Sequence, residues 1–163
     1  MLAPTAAVFS LLLTITGIAK VVRPRDVEKA LASLGLPRIR GAGIVIGAAE
    51  VVVGLTALFF PGMLIAQGLL YAGFAIWVLV ALRSGAPLAS CGCLGRNDTP
   101  PTVSHITLNV IGSLVSFIAA AGDPLDLTFG TGGLATGVAI LVAVFLAYVI
   151  LTDAAALSGV RRG

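Results

Sequence analysis

Charged residues are scarce in this chain of 163 residues: they make up 10% of it, whereas a soluble domain carries about 25%. Hydrophobic residues account for 58%, and the mean hydropathy is +1.10. This shortage of charge excludes a soluble globular protein, a disordered chain and a nucleic-acid-binding module. We therefore expect membrane lipid to surround most of the chain, and we interpret its net charge of +3 first as a signal of membrane topology.

Reactive side chains are equally few, because the chain contains one His, one Trp and two Cys. Five apolar runs, however, are about as long as the 20 or so residues that a helix needs to cross a bilayer. They cover residues 3–22, 41–60, 63–82, 103–121 and 131–151. None alternates apolar and polar residues as a transmembrane β-strand does. The sequence thus predicts an all-α membrane protein with a single membrane domain over residues 1–163.

The first run could be mistaken for a signal peptide. It has no basic residue before Lys20 and a poor cleavage site after its apolar core. We interpret it as a helix of the mature protein.

The basic residues predict the orientation. If all five runs span the membrane, every Lys and Arg falls on the same side. The positive-inside rule places that side in the cytoplasm, with the connections 23–40 and 83–102 and the C-terminus, and places the N-terminus outside. The ten residues are Lys20, Arg23, Arg25, Lys29, Arg38, Arg40, Arg83, Arg96, Arg161 and Arg162.

The segment 24–36 is amphipathic, with Val27, Leu31 and Leu34 on one helical face. Pro24 is suited to the start of a helix and Gly35 to its end. We expect a short helix in the membrane interface. The alternative is a solvated linker helix.

Glu50 lies near the middle of the second run, where a carboxylate must be protonated, paired or turned toward other helices. Gly43, Gly47 and Gly54 share its helical face and would allow a close helix crossing. We expect Glu50 to point inward. Its carboxyl group either handles protons or binds a partner, or it forms a structural hydrogen bond between helices.

A polar stripe marks the fourth run, in which His105, Asn109, Gly112 and Ser116 recur at helical spacing. This face should turn toward the other helices, either for function or for polar packing. Thr102 and Ser104 are candidate caps of the helix.

Lys20 stands at the end of the first run. Its side chain either snorkels to the lipid headgroups or provides a counter-charge for Glu50 or for a thiolate.

Both cysteines fall in Cys91-Gly92-Cys93, between the third and fourth runs. A disulfide across one residue departs from relaxed geometry, and such strained bonds are labile and suited to redox exchange. Two thiolates could instead bind a soft metal such as Cu(I), or they could be inert. A zinc site would need further ligands that the neighbourhood scarcely offers, so we assign no metal. If the segment dips back among the helices, the thiols would lie beside Lys20 and His105, whose positive charge would favour the thiolate.

These features occur in a recognisable order: Gly17-x-x-Lys20, the amphipathic stretch ending in Leu34-Gly35-Leu36-Pro37, Glu50, the sequence Cys91-Gly92-Cys93-Leu94-Gly95, and then His105 and Asn109. In this order the chain resembles the MauE family of methylamine-utilisation membrane proteins, which is related to the DoxX group, over about residues 5–121.

The resemblance implies a four-helix transmembrane core over residues 5–121, followed by an extra helix at 131–151. It also implies thiol–disulfide exchange at Cys91 and Cys93 with a thioredoxin-like partner or a quinone, in support of disulfide formation or maturation of a partner protein. Lys20, Glu50, His105 and Asn109 would be supporting positions. Two other interpretations stay open: a non-catalytic membrane subunit or scaffold, and a small metal handler that uses the two thiolates.

Overall fold

The computed structural model describes residues 3–37, 39–84, 102–122 and residue 143. These residues form five helices: α1 (Ala3–Val22), α2 (Pro24–Ser33), α3 (Ala42–Ala57), α4 (Met63–Arg83) and α5 (Val103–Ala121). The described ranges contain no strand, so the all-α prediction is confirmed for them. The segment with Cys91 and Cys93 lies outside the described residues, and so does the predicted fifth run, 131–151, apart from residue 143.

Three of the described helices are long and apolar enough to cross a membrane: α1, over Thr5–Val22, α4 and α5. Their bounds agree with the predicted runs 3–22, 63–82 and 103–121 to within one residue. The chain is therefore an integral membrane protein.

The predicted run 41–60 is only partly helical, because α3 ends at Ala57 and has 16 residues. At 1.5 Å per residue it is about 24 Å long. The residues after it form turns before Pro61, since a residue that precedes proline is disfavoured in the helical region. Apolar Phe59 and Phe60 belong to this connection and are exposed.

The helix α2 begins and ends as its sequence predicts. Pro24 occupies its first turn, and Gly35 follows its end with a φ of 76°. The amides of Gly35 and Leu36 donate hydrogen bonds to the carbonyls of Ala32 and Leu31, which is the Schellman arrangement. Glu28 Oε1 in α2 accepts a hydrogen bond of 2.8 Å from the amide of Gly41, and this bond connects α2 to the start of α3.

The four long helices pack in a closed order: α1 on α3, α3 on α4, α4 on α5 and α5 on α1, with α2 resting on α3 and α1. Contacts of Gly17 with Glu50 and of Gly54 with Ser10 show that α1 and α3 run antiparallel. Apolar clusters lie between the packed helices. One cluster contains Ala6, Ala57, Leu64 and Ala119, a second Phe9, Leu13 and Tyr71, and a third Ala30 and Ala81.

Candidate functional site

A buried ion pair joins α1 to α3. Lys20 Nζ lies 2.8 Å from Glu50 Oε2, and the two side chains are 4% and 0% exposed. Glu50 thus points inward, as predicted. Lys20 is thus a counter-charge to Glu50 rather than a snorkelling side chain, because its ammonium group is buried against α3. The alternative of a counter-charge to a thiolate concerns residues outside the described ranges.

Glycine on both helices makes this pair possible. A Cβ at Gly47 would lie 2.6 Å from the carbonyl oxygen of Gly17, and a Cβ at Gly54 would lie 2.7 Å from the carbonyl oxygen of Ser10. Gly43, the third member of the predicted face, packs against the backbone of Pro24 at the start of α2. Such small residues let helix backbones approach each other closely in a membrane. The predicted glycine face is therefore the surface on which α3 meets α1 and α2.

The two oxygens of the Glu50 carboxylate have different surroundings. Oε2 accepts hydrogen bonds from Lys20 Nζ and, at 3.0 Å, from Thr16 Oγ1. Oε1 is buried and has no hydrogen-bond partner among the described residues. A buried oxygen without a partner is costly. This oxygen is the position at which the carboxyl group could accept a proton or contact a further group.

A cavity of about 340 Å³ adjoins the ion pair. It lies between α1, α2, α3 and α4, and its wall is apolar except for Lys20. Val27 and Ala30 of α2, Ile46 of α3, and Phe74 and Trp77 of α4 contribute to it. The ammonium group of Lys20 lies 5.0 Å from the ring centroid of Phe74, within the range of a cation–π interaction. The cavity could hold a lipophilic ligand.

The predicted polar stripe of α5 is buried. His105, Asn109, Gly112 and Ser116 all face the neighbouring helices. Asn109 Nδ2 donates a hydrogen bond of 2.7 Å to the carbonyl of His105 in its own helix. This bond lies within α5 and does not connect it to another helix.

His105 stands at the start of this stripe. Thr102 precedes the helix as expected of a cap, but its side chain makes no capping hydrogen bond. Its hydroxyl instead lies 2.7 Å from His105 Nδ1, and the tautomer decides which atom donates. Ser104 lies inside α5, so its prediction as a cap is wrong. His105 Nε2 is buried and, like Glu50 Oε1, has no partner in the described part of the chain.

A second polar network, centred on Gln67, was not predicted from the sequence. Ser10 Oγ donates a hydrogen bond of 2.7 Å to Gln67 Oε1, and Gln67 Nε2 donates one of 3.0 Å to Ser116 Oγ. Gln67 is fully buried and so connects α1, α4 and α5. Its amide in the apolar run MLIAQGLLYAG was the available signal, because amide side chains in membrane helices commonly bond across helices.

The catalytic assignment of Cys91 and Cys93 falls outside the described residues. The helices on either side of them are described: α4 ends at Arg83 and α5 begins at Val103. Within the described ranges, no three His, Cys, Asp or Glu side chains are grouped so that they could hold a metal ion.

Comparison with known proteins matched this chain to a family. The family described as Methylamine utilisation protein MauE matches residues 1–122, a range that includes all five helices and the Cys91-Gly92-Cys93 sequence. No curated protein and no solved structure matched. Because the family match covers most of the 163 residues, and three of the helices within it are suited to a bilayer, this chain belongs to the MauE family of methylamine utilisation membrane proteins.

Proposed function

We propose that this protein is a membrane thiol-redox protein that exchanges electrons between Cys91 and Cys93 and a thioredoxin-like partner or a quinone. Through this exchange it assists disulfide formation or maturation of a partner protein, such as a methylamine dehydrogenase. The observation that carries the proposal is that the only two thiols of a MauE-family chain stand one residue apart, in the segment that joins two membrane helices.

The proposed architecture is a four-helix transmembrane bundle of α1, α3, α4 and α5, with α2 in the interface and a fifth transmembrane helix at 131–151. The closed packing order of the four helices and the burial of Val27 and Ala30 support it. Because the basic residues share one side, the N-terminus lies outside, and the cysteine segment and the C-terminus lie in the cytoplasm.

Electrons and protons are conserved in the proposed exchange. Two thiols lose two electrons and two protons and form one S–S bond. The acceptor is either the disulfide of a thioredoxin-like protein, which becomes two thiols, or a quinone, which becomes a quinol. The new Cys91–Cys93 disulfide then takes two electrons and two protons from two thiols of the partner protein, which become a disulfide while Cys91 and Cys93 return to thiols. With a protein partner the reaction passes through a mixed disulfide, which the second cysteine then resolves.

Lys20, Glu50, His105 and Asn109 would support this chemistry from the surrounding helices. His105 lies in the first turn of α5, the helix that follows the cysteines, and its Nε2 atom has no partner within the described ranges. A cation or a proton acceptor near a thiol raises the thiolate fraction, which is the reactive form.

Trapping of the mixed disulfide tests the proposal. Cys91→Ser and Cys93→Ser proteins are made in intact cells, free thiols are blocked in acid, and the product is separated on a non-reducing gel. We expect one single variant to accumulate a heavier species that reductant removes, and the double variant to show none. Labelling with a membrane-impermeant thiol reagent locates the thiols, which should be protected from outside. Two thiols that remain reduced under oxidant, with no trapped species, would overturn the redox proposal.

A non-catalytic membrane subunit is the second candidate function. The Lys20–Glu50 ion pair and the Gln67 network favour it, because both connect helices and could serve assembly alone. It predicts that the double cysteine variant supports the partner protein as well as the wild type does. Metal handling predicts instead that Cu(I) binds to the wild type and not to that variant.

A further inference from the structure

We propose that the cavity between α1, α2, α3 and α4 binds the ring of a lipophilic quinone. The inference rests on the proposed function, because it assigns a place on this chain to one of the two acceptors named there. Its physical basis is the cavity itself, and the binding test below does not require the cysteines to react.

The size and lining of the cavity suit a small lipophilic ring. Its volume of about 340 Å³ falls at the lower end of the roughly 300–1,000 Å³ range of small-molecule sites. Apolar side chains from three helices line it, and Phe74 and Trp77 place two aromatic side chains one helical turn apart on α4. Rings of this kind pack well in offset or edge-on contact with another planar ring.

The cavity also lies next to surface that faces lipid. Val45 and Leu69, which both contribute to its wall, are 70% and 61% exposed, and Gly73 is exposed as well. In the proposed bundle these residues face hydrocarbon. A ligand can therefore enter from the bilayer and leave an apolar tail there, which favours a membrane-dissolved molecule over a water-soluble one.

The charge beside the cavity favours a neutral ligand with carbonyl oxygens. The positive charge of Lys20 is balanced by Glu50 at 2.8 Å, so the pair is neutral as a unit. An anionic lipid would bring one uncompensated charge into a region of low dielectric, which is costly. A quinone brings none. As its ring accepts electrons, its oxygens become negative, and a preorganised ammonium group stabilises that charge. A plain hydrocarbon chain would gain nothing from Lys20.

Ligand binding can be measured by the fluorescence of Trp77, because it is the only Trp in the chain and lines the cavity. The full-length protein is placed in lipid nanodiscs and titrated with decylubiquinone, and quenching of the Trp77 fluorescence is recorded. We expect saturable quenching. Quenching that rises linearly without saturation, as for an indole dissolved in the same nanodiscs, would contradict the proposal.

Two glycine variants locate the site. Gly73 lines the cavity, and a Cβ there meets nothing within 4 Å, so Gly73→Leu should fold while its side chain occupies the ligand space. Its apparent affinity should fall by about tenfold or more, because the ligand now clashes with the leucine. Gly62 has equally open surroundings but lies in the turn before α4, away from the cavity. Gly62→Leu should therefore bind like the wild type. Equal affinity of all three proteins would overturn the assignment.

Two further measurements test which kind of molecule the cavity binds and whether binding needs the cysteines. The first adds decanol as a competitor, and the second uses the double variant Cys91→Ser/Cys93→Ser. Decanol has an alkyl chain but no quinone ring to quench Trp77. If decanol at a similar concentration displaces decylubiquinone and restores the fluorescence, the cavity holds an alkyl chain and the proposal is wrong. The double cysteine variant should bind decylubiquinone like the wild type. Binding in that variant, combined with failure of the trapping experiment, would leave the quinone site standing and remove the proposed function. A trapped partner without saturable quenching would support the proposed function and overturn the quinone site.

Discussion

Gly17 of α1 leaves the space that Glu50 of α3 needs. A Cβ at position 17 would lie 2.8 Å from the Cβ of Glu50 and 2.7 Å from the carbonyl oxygen of Gly47. One of these neighbours is backbone and cannot move away without displacing the helix. The separation of α1 and α3 at this crossing, and with it the reach of Lys20 to the carboxylate, therefore depends on glycine at position 17.

Gly17→Leu should destabilise the protein by about 1–3 kcal/mol, the usual cost of an added side chain in a tight contact. The free energy of unfolding can be measured in mixed micelles by titration with SDS, with circular dichroism as the signal. Gly73→Ala is the matched control, since nothing lies within 4 Å of its Cβ. Equal unfolding curves for Gly17→Leu and the wild type would contradict the close crossing.

Lys20→Met should cost about 3–5 kcal/mol, because it leaves the Glu50 carboxylate buried without its counter-charge. The double variant Lys20→Met/Glu50→Leu should recover most of that loss, since it removes both charges. Thr16 keeps a partner in the double variant, because its hydroxyl can donate instead to the carbonyl of Leu13, which lies 3.0 Å away. The same SDS titration measures both, and a double variant less stable than Lys20→Met would show that the pair does not act as a unit.

Glu50→Gln should fold but exchange thiols with its partner more slowly. The amide keeps the shape of the carboxylate and can still accept a hydrogen bond from Thr16, yet it has no titratable proton. Glu50→Leu should lose both stability and exchange, since Lys20 is then left without its partner. The rate of partner oxidation and the unfolding curve should be measured on the same preparations. A fully active Glu50→Leu protein would exclude both a proton-handling and a structural role.

Gln67→Leu should lower stability by about 1–2 kcal/mol, because the contacts that join Ser10 and Ser116 through the amide are lost. The rate of thiol exchange should stay unchanged. Thr56→Ala is a suitable control, because that hydroxyl bonds only carbonyls of its own helix among the described residues. The prediction fails if both variants unfold at the same SDS concentration.

Reporter fusions test the orientation. A reporter that is active only outside the cytoplasm should be active when fused after Gly122 and silent when fused after Gly163. This expectation follows from the positive-inside rule, which places the side with the basic residues in the cytoplasm. Activity at Gly163 would show that the charge distribution was misinterpreted or that 131–151 does not span.

The spans were predictable because their signal is local. Runs of about 20 apolar residues identified α1, α4 and α5, and Pro24 and Gly35 marked both ends of α2. The length of α3 was not predictable from hydropathy, since Phe59 and Phe60 continue the apolar run although their backbone forms a turn.

The polar contacts were predictable only as faces. Helical spacing placed Glu50 among glycines and grouped His105 with Asn109, but it could not tell which helix each face meets. For that reason Lys20 had two interpretations, and only the packing of α1 on α3 decided between them. Gln67 stood alone in its run, without a periodic partner, so no stripe pointed to it.

The hydroxyl groups of Thr14 and Ser116 each donate a hydrogen bond to the carbonyl four residues earlier in their own helix. Such helices can enter a bilayer one at a time with these groups already satisfied. Glu50 cannot be satisfied in this way, because its partners Thr16 and Lys20 belong to α1. During synthesis, α1 emerges from the ribosome before α3 does. The nascent α3 is short and carries an acidic residue. It is therefore best stabilised in the bilayer when it leaves the translocon packed as a hairpin against α1, which was synthesised first.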